Sequence, residues 1–412
     1  MQPMSFGRSL DIGQLIDTES IVTHFQPIVS VKTKSVIGFE ALSRGIDVDT
    51  GQIIPPTPII RRAREQNLTI ELDRVFRKKA MNTFKSQMSG YDRYTLFINI
   101  DTSILDQNVV GSGQIINLVD QLGLSPQNIV IEIVESQAND IHALKQFIDN
   151  HRRHGFSIAL DDLGNGFSNL DRVPIIKPDI LKLDRWLIQN IDEDFYKQEV
   201  FRSVVNLAKK IGALVVAEGV ERKEEVVWSL ELGADILQGY YFSPPQALNG
   251  RLLTGLKDRI NHMAAEYKSY IIQKIKKKRL EYESYNCIIN NLIDELSKTD
   301  MNRINQQLLN VLENHAVVEC IYILDEMGIQ VTSTVCNDPG LPVKNNLIFQ
   351  PASPGTDHST KEFYYLLVNT GFNRYVTEPY VSLATGNLCV TISVLFSDVH
   401  QRQFILCADF IT

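Results

Sequence analysis

Short apolar runs recur along the first part of the chain, and most are followed by a stretch whose apolar residues fall three and four apart. Phe25–Val31, Ser35–Leu42, Leu96–Ile100, Ile129–Val134, Phe156–Leu160, Ile180–Asp184, Ala213–Ala217 and Ala234–Leu237 read as strands. Ile59–Ser89, Gln114–Leu122, Ile141–His154, Phe195–Ile211 and Lys223–Leu232 carry the helical period, with Gly155 and Gly212 placed as C-caps. Lys32-Thr33-Lys34 is the turn between the first two strands, and 45–58 is a Gly/Pro-rich loop. Continuous apolar strands alternating with amphipathic helices predict a parallel sheet covered on its faces. The number of units predicts a closed (β/α)8 TIM-like barrel, a fold that places chemistry at the C-terminal ends of its strands.

Polar residues interrupt the apolar runs at those ends. They are Glu40, Asn99, Glu132, Asp161, Asp162, Lys182, Glu218 and Gln238. A purely structural fold seldom gathers so many ionisable groups on one rim. Asp161 and Asp162 stand between a buried strand and a turn containing Gly164 and Gly166. Two adjacent carboxylates there repel each other and lose hydration, and divalent cations would compensate them. Alternation puts Lys182 and Asp184 on one face of their strand.

Composition narrows the picture. At 412 residues the chain is expected to hold two domains, and 44% hydrophobic residues suffice for packed cores. A formal net charge of -8 argues against a general nucleic-acid binder. Five cysteines (287, 320, 336, 389 and 407) lie in the last third without CxxC spacing. That pattern fits a reducing cytoplasm with buried or free thiols better than a zinc site or a disulfide frame. Met1–Ser20 has no apolar core and does not read as a signal peptide, and no run is long enough to span a membrane.

Six motifs now carry a resemblance: Phe39-Glu40-Ala41-Leu42-Ser43-Arg44, Ile131-Glu132-Ile133-Val134-Glu135, Asp161-Asp162-Leu163-Gly164-Asn165-Gly166, Leu181-Lys182-Leu183-Asp184, Ala217-Glu218-Gly219-Val220-Glu221 and Gln238-Gly239-Tyr240. In this order, over about residues 20 to 246, they resemble the EAL domain family of phosphodiesterases that linearise cyclic di-GMP. The resemblance implies one divalent ion on Glu40, Asn99, Glu132 and Asp161, and a second on Asp161, Asp162 and Glu218. Such oxygen ligands suit Mg²⁺ or Mn²⁺, with Ca²⁺ binding and inhibiting. It implies catalytic roles for Glu40, Lys182 and Glu218, and contacts to the nucleotide from Gln26, Leu42, Arg44, Asp184 and Gln238. Glu135 and Glu221 would support the loops, although an ordinary loop salt bridge explains them equally well. The chain departs from the family at Leu163, where a Phe is usual, and at Asn165, where a small residue is usual. A receptor that binds cyclic di-GMP and turns it over weakly or not at all is therefore the rival reading. A metal-dependent hydrolase of another phosphodiester is a third.

Beyond Pro244-Pro245 the pattern changes. Leu252–Lys298 reads as one long helix whose apolar positions need covering: Leu256, Ile260, Met263, Tyr267, Tyr270, Ile271, Ile275, Ile288, Leu292 and Leu296. Its basic run Lys274–Arg279 reads as a solvated face. A short helix through Asn314 and strands at Glu319–Leu324, Ile329–Val335, Phe363–Val368, Val390–Phe396 and Arg402–Phe410 then predict a smaller α+β domain, mostly antiparallel. It resembles PAS/Cache-like sensor domains, which implies an unknown small ligand; a dimerisation module is equally compatible. The expected division is a barrel at 1–250, a helical linker at 251–300 and the sensor-like domain at 301–412. A cytoplasmic homodimer, with the helix carrying a signal to the Asp161-Asp162 loop, completes the expectation.

Overall fold

The turn at 32–34 joins two long strands, β1 (Ile21–Ser30) and β2 (Ser35–Ile46), into an antiparallel hairpin with Gln26 opposite Glu40. A short β3 (Ile53–Ile54) pairs with the end of β2. Then β4 (Thr95–Ile100), β5 (Ile129–Val134), β6 (Ser157–Leu163), β7 (Ile180–Leu183), β8 (Leu214–Ala217) and β9 (Ile236–Gln238) add one after another, parallel to β2. β9 returns to β1 with Ile28 across from Gln238, so the ring β1-β9-β8-β7-β6-β5-β4-β2 is closed. This is the expected barrel with one correction: β1 runs against both of its neighbours. A three-residue turn has no room for the crossover that a parallel neighbour requires. At Gly38 the strands approach so closely that a Cβ would lie 2.0 Å from the Thr95 carbonyl oxygen. The computed structural model describes residues 11–87, 90–101, 113–134, 140–164, 170–248, 250–300, 303–337 and 348–411.

Helices Gln114–Leu122, Ile141–Arg153, Phe195–Ile211 and Lys223–Leu232 lie where the helical period put them. The expected helix Ile59–Ser89 is instead two, Pro56–Glu65 and Thr69–Gln87. Asn67 takes a left-handed φ of 56°, and the Leu68 amide closes back on the Ala63 carbonyl at 2.9 Å, which ends the first helix. Inside the barrel Ile28, Phe97, Val130, Ala159, Ile180, Val216 and Ile236 form one buried apolar layer, drawn from seven of the eight ring strands.

The chain divides into two compact units, Met1–Tyr270 and Ile271–Thr412. Helix Gly250–Leu296 runs through the division. In the first unit its Leu252, Leu256, Ile260 and Met263 join the barrel's outer core, with Tyr267 and Tyr270 packed against it. In the second unit Ile288, Ile289, Leu292 and Leu296 join a separate core. Ile275 was expected to be covered, yet it is 61% exposed.

The second unit is built on an antiparallel sheet of β10 (Val318–Asp325), β11 (Val335–Cys336), β12 (Arg374–Val376), β13 (Tyr380–Val381), β14 (Leu388–Ser397) and β15 (Gln403–Ile411). Its order is β11-β10-β15-β14-β12, with β13 also on β14, and helices Ile304–Asn314 and Glu362–Thr370 accompany it. Two strand expectations fail. Phe363–Val368 lies in the helix: Phe363 and Leu367, four apart, are its buried residues, and Gly371 at φ 72° terminates it. In Ile329–Val335 only the end enters a strand, because Gln330 turns its amide inward to the Thr332 and Ala352 carbonyls and the Thr334 hydroxyl. Cys320 and Cys336 face each other across β10 and β11 and are disulfide-bonded, whereas free thiols were expected. Their opposition is set by strand register, which spacing along the chain does not reveal.

Candidate active site

One residue pair of the pleat separates the apolar layer from a polar one. Moving two positions toward the strand ends gives Asn99 from Phe97, Glu132 from Val130, Asp161 from Ala159, Lys182 from Ile180, Glu218 from Val216 and Gln238 from Ile236. On antiparallel β1 the same step runs backwards, from Ile28 to Gln26, and on β2 Glu40 follows Gly38. Since side chains two apart share a face, the barrel's interior changes from apolar to charged within one layer.

Lys182 is the centre of that layer and is 1% exposed. Its ammonium lies 2.5 Å from Glu132, 2.7 Å from Glu218, 3.3 Å from Asp161 and 3.7 Å from Glu40. One positive charge thus faces four carboxylates. Burial works against the ammonium, but Asp161, Glu132, Glu218 and Glu40 outweigh it and hold Lys182 charged well above its ordinary range. Burial raises Glu132, reinforced by Glu40, and it raises Glu218, reinforced by Asp161. Burial raises Asp161 too, against the pull of Lys182. Glu40 goes the other way: burial pushes it up, but Lys182 and the amides of Gln238 and Asn99 bring it below the ordinary range. Asn99 Nδ2 donates to Glu40 Oε1 at 2.9 Å, and Gln238 Nε2 donates to Glu40 Oε2 at 2.5 Å. Gln238 also donates to Gln26 Oε1 at 3.1 Å, while Gln26 Nε2 donates to the Ser243 carbonyl at 3.2 Å.

Strict alternation would send Asp161 and Asp162 to opposite faces. The β6–β7 register slips between Leu160 and Leu163, and Asp162 takes a left-handed φ of 59°. This bulge swings the second carboxylate back, so that oxygens of Asp161, Asp162 and Glu218 lie within 4.8 Å of one another. Partial burial, Asp161 and Asp184 push the Asp162 carboxyl up to about 6. The donor set is all hard oxygen, it carries excess negative charge, and the fully buried Glu132 Oε2 accepts no hydrogen bond among the described residues. Such a set fits a divalent cation.

Glu40, Asn99, Asp161 and Asp162 share a cavity of about 330 Å³ with Leu42, Arg44, Pro56, Ile60 and Arg64. Leu42 and Arg44 line it, whereas Gln26 and Gln238 are buried and bonded to each other. Asp184 caps the helix that starts at Arg185, accepting from the Trp186 amide at 2.8 Å. Glu221 pairs with Arg185 at 2.7 Å. Glu135 and Asn165 lie outside the described residues. Pro56, Ile60 and Arg64 carry no motif that singles them out in the sequence; the only signal is the Gly/Pro-rich loop 45–58, which contains Pro56 and leads into the helix of the other two.

The family described as EAL domain matches residues 10–245. The EAL-domain containing protein YkuI of Bacillus subtilis is 25% identical over 404 residues, covering 94% of each chain. Its crystal structure, in complex with cyclic di-GMP and calcium, superposes with a TM-score of 0.80 at 23% identity, over 98% of this chain and 100% of that one. The cyclic di-GMP phosphodiesterase RocR of Pseudomonas aeruginosa is 29% identical over 238 residues, 57% of this chain and 60% of that protein. BlrP1 of Klebsiella pneumoniae, solved with manganese and cyclic di-GMP, matches with a TM-score of 0.50 at 28% identity, over 55% of this chain and 56% of that one.

Proposed function

The chain belongs to the EAL domain family, and on that footing we propose that its barrel is a metal-dependent phosphodiesterase that opens cyclic di-GMP to linear pGpG. The observation that carries this reading is the meeting of Asp161, Asp162 and Glu218 beside the Lys182-centred carboxylates, with Asp161 and Asp162 lining the same cavity as Arg44. Glu40, Asn99, Glu132 and Asp161 would hold one divalent ion, and Asp161, Asp162 and Glu218 a second. Mg²⁺ or Mn²⁺ bound there would polarise the phosphodiester and acidify the attacking water. Lys182 offsets the carboxylate charge and keeps the cluster together in a buried setting. Gln238 and Asn99 fix both oxygens of Glu40, and Arg44 offers its guanidinium to a phosphate. Leu42 packs against a base. The cyclic di-GMP, calcium and manganese bound by the solved relatives support this choice of ligands.

The chain spans nearly all of YkuI but about three-fifths of RocR, so regulation belongs to the proposal. We assign 1–250 to the phosphodiesterase barrel, 251–300 to a linker and 301–412 to a PAS/Cache-like sensor or dimerisation domain that acts within a homodimer. No helix among the described residues is long and apolar enough to cross a membrane. We place the protein in the cytoplasm as part of this proposal; the Cys320–Cys336 bond would then need an oxidising step there.

The test is incubation with cyclic di-GMP and Mg²⁺, Mn²⁺, Ca²⁺ or chelator, with chromatography of the nucleotides and a parallel binding titration. Linear pGpG with Mg²⁺ or Mn²⁺ supports the enzyme. Tight binding without product supports the receptor reading. Failure of cyclic di-GMP to bind sinks both.

A further inference from the structure

We propose that Arg259, on the helix that leaves the barrel, is a positioning residue for Glu40; this rests on the metal-site reading above. The helix is attached to the turn after β9 at a defined point. Arg259 Nη1 donates to the Tyr241 carbonyl at 3.1 Å and also to the Phe242 carbonyl. That turn is stiff. The Phe242 and Ser243 amides both close on the Gly239 carbonyl at 3.1 Å. Gly239 packs so tightly that a Cβ would sit 2.1 Å from the Val220 carbonyl oxygen.

From the turn, two short routes lead into the charged layer. The Ser243 carbonyl accepts from Gln26, whose own oxygen accepts from Gln238, whose amide donates to Glu40. On the other side, Val220 exchanges backbone bonds with Gln238 and Tyr241 at 3.1 and 3.0 Å, tying in the segment that begins with Glu218. Lys223, on the same segment, pairs with Glu266, two helical turns beyond Arg259. Both this pair and Arg259 are exposed, but only Arg259 bonds the turn itself. Arg259 thus bonds one side of the turn through the Tyr241 and Phe242 carbonyls, while Gln26, itself bonded to Gln238, holds the Ser243 carbonyl. Groups behind a metal ligand set its orientation, and their loss commonly costs ~10–100-fold in metal affinity or activity.

The experiment uses the full chain and Mn²⁺ as the probe, by isothermal calorimetry, with thermal melts and cyclic di-GMP kinetics alongside. Arg259→Ala is expected to weaken Mn²⁺ binding about tenfold, with kcat falling more than KM rises, while Arg259→Lys recovers part of both. Lys257→Ala, a charge change on the same helix, should match the wild type. A merely structural role would lower the melting temperature and leave Mn²⁺ affinity unchanged well below it, and that result overturns the proposal. If Arg259→Ala does not fold, Arg259→Gln and Arg259→Lys decide by the same two readouts. If the wild type binds Mn²⁺ but yields no pGpG, the functional reading fails while the calorimetry still judges Arg259. If the wild type turns over cyclic di-GMP and Arg259→Ala titrates like it, Arg259 alone is refuted. A wild-type chain that takes up no Mn²⁺ sinks both.

Discussion

Lys182 and Glu132 face each other 2.5 Å apart in the barrel mouth, the one 1% and the other 0% exposed. Neither charge has water to fall back on, so each depends on the other and on whatever else enters the layer. Removing one partner of such a buried pair typically costs about 3–5 kcal/mol.

Lys182→Ala is therefore expected to lower stability by about that amount near pH 8 and to abolish measurable turnover. Lys182 has its folded pKa raised, so its contribution is complete below the unfolded value and is lost only in strong alkali. The deficit of the variant should shrink toward pH 5, where the raised carboxyls of Glu132 and Glu218 take up protons instead. Urea denaturation of both proteins at the two pH values checks this. Equal deficits at both would mean that the carboxylates are not what Lys182 compensates.

Glu40→Ala removes one candidate ligand and leaves the amides of Asn99 and Gln238 without their acceptor. Saturating Mn²⁺ should stabilise the wild type by about 2.7 kcal/mol at one hundred times its dissociation constant. The variant should gain much less at the same concentration. A metal-dependent melting shift as large as that of the wild type would remove Glu40 from the ligand set.

Asp409 contributes a pH dependence to the second unit. It is 2% exposed, accepts from the Thr391 hydroxyl at 2.7 Å, and burial pushes its carboxyl up to about 7 from 3.8. A raised acid binds its proton more tightly in the folded state, so stability falls as pH rises from the unfolded value through 7. The difference is on the order of 4 kcal/mol at 1.36 kcal/mol per pH unit. Calorimetry of wild type and Asp409→Asn at pH 5 and pH 8 should show the wild type losing stability relative to the variant. Parallel behaviour would mean that Asp409 titrates as it does in the unfolded chain.

The cysteines should separate into three classes. Cys287 is exposed and free, Cys389 and Cys407 are buried and free, and Cys320 and Cys336 are bonded. Alkylation of the native protein should mark Cys287, alkylation after unfolding should add 389 and 407, and the last two should need reduction first. Peptide mass spectrometry reads this directly. Rapid labelling of Cys336 without reductant would contradict the bond.

The rim was legible because each strand carries its own two-residue period. Once Val130 or Ala159 is taken as buried, Glu132 and Asp161 must share its face. What a single strand does not encode was missed. The bulge at Asp161–Asp162 depends on the slip of β6 against β7. The contact of Gln26 with Gln238 joins residues 212 apart and depends on how the ring closes. Phe363–Val368 misled because its aromatic and branched residues favour strands. The two residues that settled it, Phe363 and Leu367, are buried at helical spacing in tertiary packing. The family resemblance supplied roles, but not the turn at Asn67 that splits the helix beside the cavity.

The antiparallel first strand has a consequence for how the chain is made. The β1–β2 hairpin can form once its short turn has been synthesised, yet β1 keeps an open edge until β9 arrives to pair with Ile28 and Val29. Through most of synthesis that edge offers unpaired amides and carbonyls to any other strand. The last ring strand delivers Gln238, the residue that covers the edge and also bonds Glu40. A nascent chain stopped before this point would be sticky and would lack one of the two amides that fix Glu40, so ring closure is also the step that completes the site.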